Sequence, residues 1–140
     1  MRVGINSRLD TIQAGILLPK LAILDDEINM RNKLAESYSL QFFETAEVVE
    51  PKISEDKKSA WAQYTIICKN REKIKNKLEK NSIPSAVHYP LPLNRQPAVS
   101  DIKAYTPVSD KLAETVLSLP MHAYMSKDIE REIIATVLSD

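Results

Sequence analysis

Two runs of apolar residues at helical spacing open the chain. Ile5, Leu9, Ile12 and Ile16 form the first, and Leu21, Leu24, Ile28, Ala35, Tyr38 and Phe42 form the second, with Asp25, Asp26, Glu27, Asn32 and Lys33 largely opposite. Asp10 followed by Gln13 has the spacing of a capping box, which predicts a helix beginning near Leu9. Pro19 removes an amide donor and crowds the preceding turn, so a kink or break is expected there. Arg31 falls on the apolar side, where a buried or half-buried ion pair is its simplest accommodation.

Beyond Phe43 the pattern changes to short β-prone runs separated by turn residues. Glu47–Glu50 reads as a strand ending at Pro51, Ser54–Ser59 as an exposed loop, and Trp61–Cys68 ("WAQYTIIC") as the strongest strand. On that strand Trp61 and Tyr64, three apart, are predicted to lie on opposite faces. Asn70 caps a helix to about Lys80 with Ile74 and Leu78 inward, and Asn81 is predicted to end it in the left-handed conformation. Ser85–Tyr89 reads as a further strand, and "PLPLNRQP" as a semi-rigid loop, since proline removes ladder donors. Ser109 and Asp110 start a short helix through Leu112 and Ala113, Leu117–Leu119 form a short edge strand, and Ser126 caps a last helix with Ile129, Ile133 and Val137 inward.

This order predicts an α+β fold: a small antiparallel or mixed sheet with helices on one face, preceded by a long kinked helix. Residues 1–45 form the connecting helical segment and residues 46–140 the small α+β domain. A chain of 140 residues and 15.8 kDa suits one core, and 44% hydrophobic with 27% charged residues is a globular mix. Nineteen basic residues balance nineteen acidic ones, so no overall field favours nucleic acid or an anionic membrane. The lone Cys68 sits in an apolar run and excludes an internal disulfide framework; it reads as a packing residue. With no signal-like opening and no segment near the ~18 apolar residues of a membrane span, the expectation is a cytoplasmic protein.

Any anion it binds must therefore meet a local site. Asn6, Ser7 and Arg8 stand at a helix N-terminus, where free amides and the macrodipole favour negative charge, and Gly4 permits a bend before them. A plain helix cap accounts for the same residues. His88-Tyr89, at a strand end leading into the proline-rich loop, is the second candidate for holding a polar ligand, with a structural His–Tyr pair as the alternative. His88 and His122 are the only histidines and lack spaced cysteines or clustered carboxylates, so no metal site is expected. No activated nucleophile, glycine-rich phosphate loop or carboxylate pair is present, and no residue is assigned a catalytic role.

"GINSRLDTIQAGILLPKL", then Arg31, Ala35 and Tyr38, "WAQYTI", "IPSAVHYPLPLNRQPA" and "LSLPMH" together resemble the C-terminal portion of the DegT/StrS family of pyridoxal-phosphate-dependent nucleotide-sugar aminotransferases. The resemblance runs in order from Gly4 to the last helix. It implies the small domain of the aspartate-aminotransferase (fold type I) architecture, and a homodimer whose active sites are shared between subunits. By the same carry-over Asn6 reaches the cofactor phosphate across the interface, Arg8 lies near the phosphate or an acidic group of the sugar, and His88 and Tyr89 approach the nucleotide-sugar. The wording of "HYPLPLNRQPA" is nearest to members that aminate 3-keto sugars of the UDP-N-acetylglucosaminuronate type, with glutamate as the habitual amino donor of the family.

The family's Schiff-base lysine and the residues that hold the cofactor ring belong to a larger domain upstream, and Lys20 and the other lysines match no motif for it. The resemblance thus implies a small domain with its connecting helix, inactive alone and holding no pyridoxal phosphate by itself. The alternative is a stand-alone binding or dimerisation module. Gly15 and Pro19 depart from the usual pattern of the first helix.

Overall fold

The computed structural model describes residues 7–43 and 45–139. Gly4, Ile5 and Asn6 therefore lie outside the described residues. The first helix, α1 (Thr11–Ala22), starts at the expected place: the Asp10 amide donates to Gln13 Oε1 at 3.1 Å, one half of a capping box. Pro19 does not break it. Proline would leave the Gly15 carbonyl without its usual amide donor, yet the helix continues to Ala22 and the interruption falls at Ile23. None of the α1 residues is buried, and Ile12, Leu18 and Leu21 are strongly exposed.

The interruption resets the phase of the second helix, α2 (Leu24–Phe42). Its inward stripe is Glu27, Leu34, Ala35, Tyr38 and Phe42, so Leu21 and Leu24 are exposed, Ile28 is half-buried, and Glu27, expected on the polar side, is buried. Tyr38 and Phe42 stack with ring centroids 5.9 Å apart and reach the sheet through Tyr64, 5.1 Å from Tyr38.

Strands β1 (Val48–Val49), β2 (Tyr64–Cys68) and β3 (Val116–Leu119) form an antiparallel sheet in the order β1-β2-β3. β2 alternates as a strand with one core face should: Tyr64, Ile66 and Cys68 are buried, while Thr65 is half-buried and Ile67 exposed. The core face meets α2, α3 (Arg71–Lys80) through Ile74 and Leu78, and α5 (Lys127–Leu138) through Ile133 and Val137. Asn70 accepts from the Lys73 amide at 3.0 Å and Ser126 from the Ile129 amide at 3.3 Å, so both predicted caps are made.

Several local expectations are corrected. The positive φ belongs to Ser82 (57°), not Asn81, whose φ is −93°. Ile129 is exposed, because the inward stripe of α5 runs through Glu130, Ile133, Thr136 and Val137. Trp61 lies outside β2 with a φ of 48°, so strand alternation does not apply, and its ring sits 5.4 Å from that of Tyr64 instead of on the opposite face. Asn32 holds that turn, accepting from Trp61 Nε1 at 3.0 Å and donating to the Ser59 carbonyl at 3.1 Å. The helix expected at Ser109 begins at Pro107 and runs to Thr115 as α4, with proline in the first turn where its missing amide costs nothing.

Candidate functional site

The predicted strand Ser85–Tyr89 reduces to one antiparallel bridge between Ala86 and Ser118. That bridge is closed by two backbone hydrogen bonds, from Ser118 to the Ala86 carbonyl at 2.7 Å and from Ala86 to the Ser118 carbonyl at 3.2 Å. Pro90 and Pro92 end any further pairing. The chain leaves the sheet after Ala86, and the peptide bond joining His88 to Tyr89 is cis.

Ser118 lies on the side of β3 away from Leu117 and Leu119, both of which pack in the main core. It is directly opposite Thr65 of β2, and the two hydroxyls are 2.8 Å apart. Ser118 Oγ is also 3.0 Å from Nδ1 of His88. Three polar side chains from three segments are thereby joined in one line on the back of the sheet. His88 is half-buried and its ring meets Tyr89 edge-on, with centroids 5.4 Å apart, while Tyr89 stays 69% exposed.

His88 borders two openings. The larger, about 620 Å³, lies between the Tyr89–Val99 segment and α4, and is lined by His88, Tyr89 and Asn94 among apolar neighbours including Leu91, Leu112 and Val116. The smaller, about 240 Å³, is lined by His88 and Ser118 together with Gln63 and Met121. Arg95 of the loop is tied to Asp110 of α4 at 2.9 Å, which fixes the loop over the helix beside the larger opening. An apolar cleft with a few polar groups at its rim is the usual form of a small-molecule site.

The sequence candidates divide accordingly. His88 and Tyr89 stand together at the cleft. Arg8 lines neither opening; it is exposed at the start of α1, 3.7 Å from the Asp10 carboxylate. Asn6 lies outside the described residues. No lysine lines either opening, and Lys20 is engaged elsewhere, donating to Glu27 at 2.7 Å.

Two groups of residues were not singled out by sequence reasoning. Ser118 and Thr65 could have been found by combining strand alternation with the "LSLP" run, since both fall on the non-core face. The second group surrounds Glu27, which accepts from Lys20 Nζ, from Tyr124 Oη at 3.0 Å and from Arg31 Nη2 at 3.5 Å. Arg31 makes the half-buried ion pair expected of it. The hydrogen bond from Lys20, joined by that from Tyr124, holds the Glu27 carboxyl below the usual carboxylate range. No sequence signal marked Tyr124 as its partner.

A half-buried histidine thus stands at the rim of an apolar cleft in a small α+β fold preceded by two helices, and the chain belongs to the DegT/DnrJ/EryC1/StrS aminotransferase family, which it matches over residues 1–138. It is 51% identical over 125 residues to the UDP-2-acetamido-2-deoxy-3-oxo-D-glucuronate aminotransferase of Pseudomonas aeruginosa, covering 89% of this chain and 34% of that protein. Among solved structures it superposes with a TM-score of 0.86 on a DegT DnrJ EryC1 StrS aminotransferase from Brucella abortus, at 43% identity, over 98% of this chain and 37% of the other. S. venezuelae DesV in complex with a ketimine intermediate gives a TM-score of 0.87 at 28% identity, over 96% of this chain and 37% of that one. The chain spans about a third of the length of these relatives. Its fold is therefore that of a portion of a fold type I aminotransferase.

Proposed function

We propose that this chain is the C-terminal part of a pyridoxal-phosphate-dependent aminotransferase that transfers an amino group, from glutamate, to a keto nucleotide-sugar of the UDP-2-acetamido-3-oxo-glucuronate type. The observation that carries the reading is the match over residues 1–138, together with 51% identity to a relative named for that sugar. His88 and Tyr89 contact the nucleotide-sugar in the cleft against α4. Asn6 and Arg8 act at a shared subunit interface of a homodimer, Asn6 toward the cofactor phosphate and Arg8 toward a phosphate or the sugar carboxylate, where a guanidinium forms its strongest hydrogen bonds. The exposure of Arg8, with only a 3.7 Å contact to Asp10, leaves it available for such a partner.

The cofactor supplies the electron sink of amino transfer and is anchored by a lysine on polypeptide corresponding to the remaining two-thirds of the relatives' length. The residues described here bind and orient; the covalent chemistry resides on that other portion. Incubation of the 140-residue chain with pyridoxal phosphate, glutamate and the keto nucleotide-sugar should give no amino transfer above that of a protein-free mixture. Polypeptide that also contains a lysine-bearing large domain should transfer the amino group. Turnover by the chain alone would overturn this reading.

A second reading, a non-catalytic dimerisation or binding module, draws on the exposed apolar residues of α1, with Ile12 79% and Leu18 71% exposed. It requires the chain alone to form a defined dimer in sedimentation while no catalytic polypeptide restores activity.

A further inference from the structure

We propose that Ser118 is a positioning residue for His88: it accepts the Thr65 hydroxyl proton and donates its own to His88 Nδ1, so the imidazole keeps its proton on Nε2 and meets a ligand as a hydrogen-bond donor. The inference rests on the reading of the His88 cleft as a nucleotide-sugar site, and it adds the chemical role of the ring.

Thr65 and Ser118 each bring one hydroxyl proton, and neutral His88 brings one ring proton. The contacts form a single line, Thr65 Oγ1 to Ser118 Oγ at 2.8 Å and Ser118 Oγ to His88 Nδ1 at 3.0 Å. The line runs consistently in one of two directions. If His88 donated from Nδ1, Ser118 would turn its proton to Thr65, and the Thr65 proton, on a half-buried strand position, would find no acceptor among the described residues. If Thr65 starts the line, both hydroxyl protons are used and the only donor left over is Nε2–H of the half-buried ring at the cleft. Each direction leaves one donor over; on His88 it belongs to a ring that borders two openings where solvent or a ligand can accept it, whereas Thr65 lines neither opening, so the second direction prevails.

The positions of these groups are also hard to alter. Thr65 and Ser118 are a cross-strand pair whose register is set by β2 and β3, and the Ala86–Ser118 bridge fixes the backbone two residues before His88. A ring held at Nδ1 presents its Nε2–H in a set direction. Its complement is an oxygen acceptor, such as a phosphate, carbonyl or hydroxyl oxygen of the nucleotide-sugar. In this state the ring has no free basic nitrogen, so at neutral charge it binds and does not take a proton from the ligand.

The test is a long-range 1H–15N correlation of the histidine rings in the 140-residue chain, at a pH where both are neutral. The chain has only two histidines. His122 serves as an internal reference, because its Nδ1 accepts from the Tyr124 amide at 3.1 Å and its own proton must sit on Nε2. The expected result is the same pattern for His88, with a lone-pair Nδ1 and a protonated Nε2. Ser118→Ala should move the two His88 nitrogen shifts toward each other, as a mixture of the two proton placements, and leave His122 unmoved. Ser118→Cys, close in size and a weaker donor, should move them in the same direction and keeps the test open should the alanine variant fail to fold. A protonated Nδ1 in the unsubstituted chain, or His88 shifts that ignore both substitutions, overturns the inference. The ring readout uses no ligand and the amino-transfer assay uses no ring shifts, so failure of one is distinguishable from failure of the other.

Discussion

Glu27 and Tyr124, 97 residues apart, share a 3.0 Å hydrogen bond in which the phenol donates to the carboxylate. The same carboxylate receives Lys20 from α1, so one buried acid ties the first helix, the second helix and the loop before α5 to a single point. Few other contacts hold α1, which buries none of its own residues.

Glu27→Gln is therefore expected to loosen α1 specifically. Amide hydrogen exchange should speed up in Thr11–Ala22 and remain unchanged in α3. Because the Glu27 carboxyl titrates below its ordinary range in the folded chain, the stabilisation it gives is fully present above the usual carboxylate value and is lost as pH falls through the depressed one. The exchange difference between the two proteins should accordingly be full at neutral pH and vanish in acid. The hydrogen bond to Glu27 also pushes the Tyr124 phenol upward, so one tyrosine should ionise at lower pH in the glutamine variant, read by ultraviolet titration.

Tyr38→Phe isolates a single buried hydroxyl. Tyr38 is fully buried and donates to the Pro120 carbonyl at 3.1 Å. Removing the donor and leaving that carbonyl unpaired should cost about 1–3 kcal/mol in urea unfolding. Tyr38→Ala should cost more, about 3–5 kcal/mol, because it also empties the space between Phe42 and Tyr64.

Cys68 should be unreactive while the chain is folded. Burial pushes its thiol up to about 11, and it is only 1% exposed at the end of β2. A thiol reagent at neutral pH should label it slowly in buffer and fully in denaturing urea; rapid labelling of the folded chain would contradict the described packing.

Arg8→Ala should leave stability nearly untouched, within about 0.5 kcal/mol, since the side chain is exposed and its contact to Asp10 is long. In polypeptide competent for amino transfer it should nevertheless raise the KM for the keto nucleotide-sugar. A large loss of thermal stability with unchanged KM would make Arg8 structural.

Elements governed by residues close in sequence are legible in the sequence. The Asp10/Gln13 cap, the Asn70 and Ser126 caps, a strand ending at Cys68, and the inward Ile74 and Leu78 all follow from spacing alone. The phase of α2 was misread because periodicity was carried across Ile23, where the helix is interrupted. Trp61 was misread because an unbroken apolar run conceals a turn that Asn32, 29 residues away, holds by a side-chain hydrogen bond. In the candidate site, His88 and Tyr89 stood out by type and by resemblance, whereas their support did not.

The sequence by itself determined the capped helices, the central strand and the family the chain would join, because capping, residue type and motif wording are local properties of the covalent order. Tertiary structure alone decided that Glu27 would be buried among Lys20, Arg31 and Tyr124, and that Thr65, Ser118 and His88 would form one hydroxyl-to-imidazole line. Those contacts depend on strand register and helix phase, and both are set by packing between residues far apart in the chain.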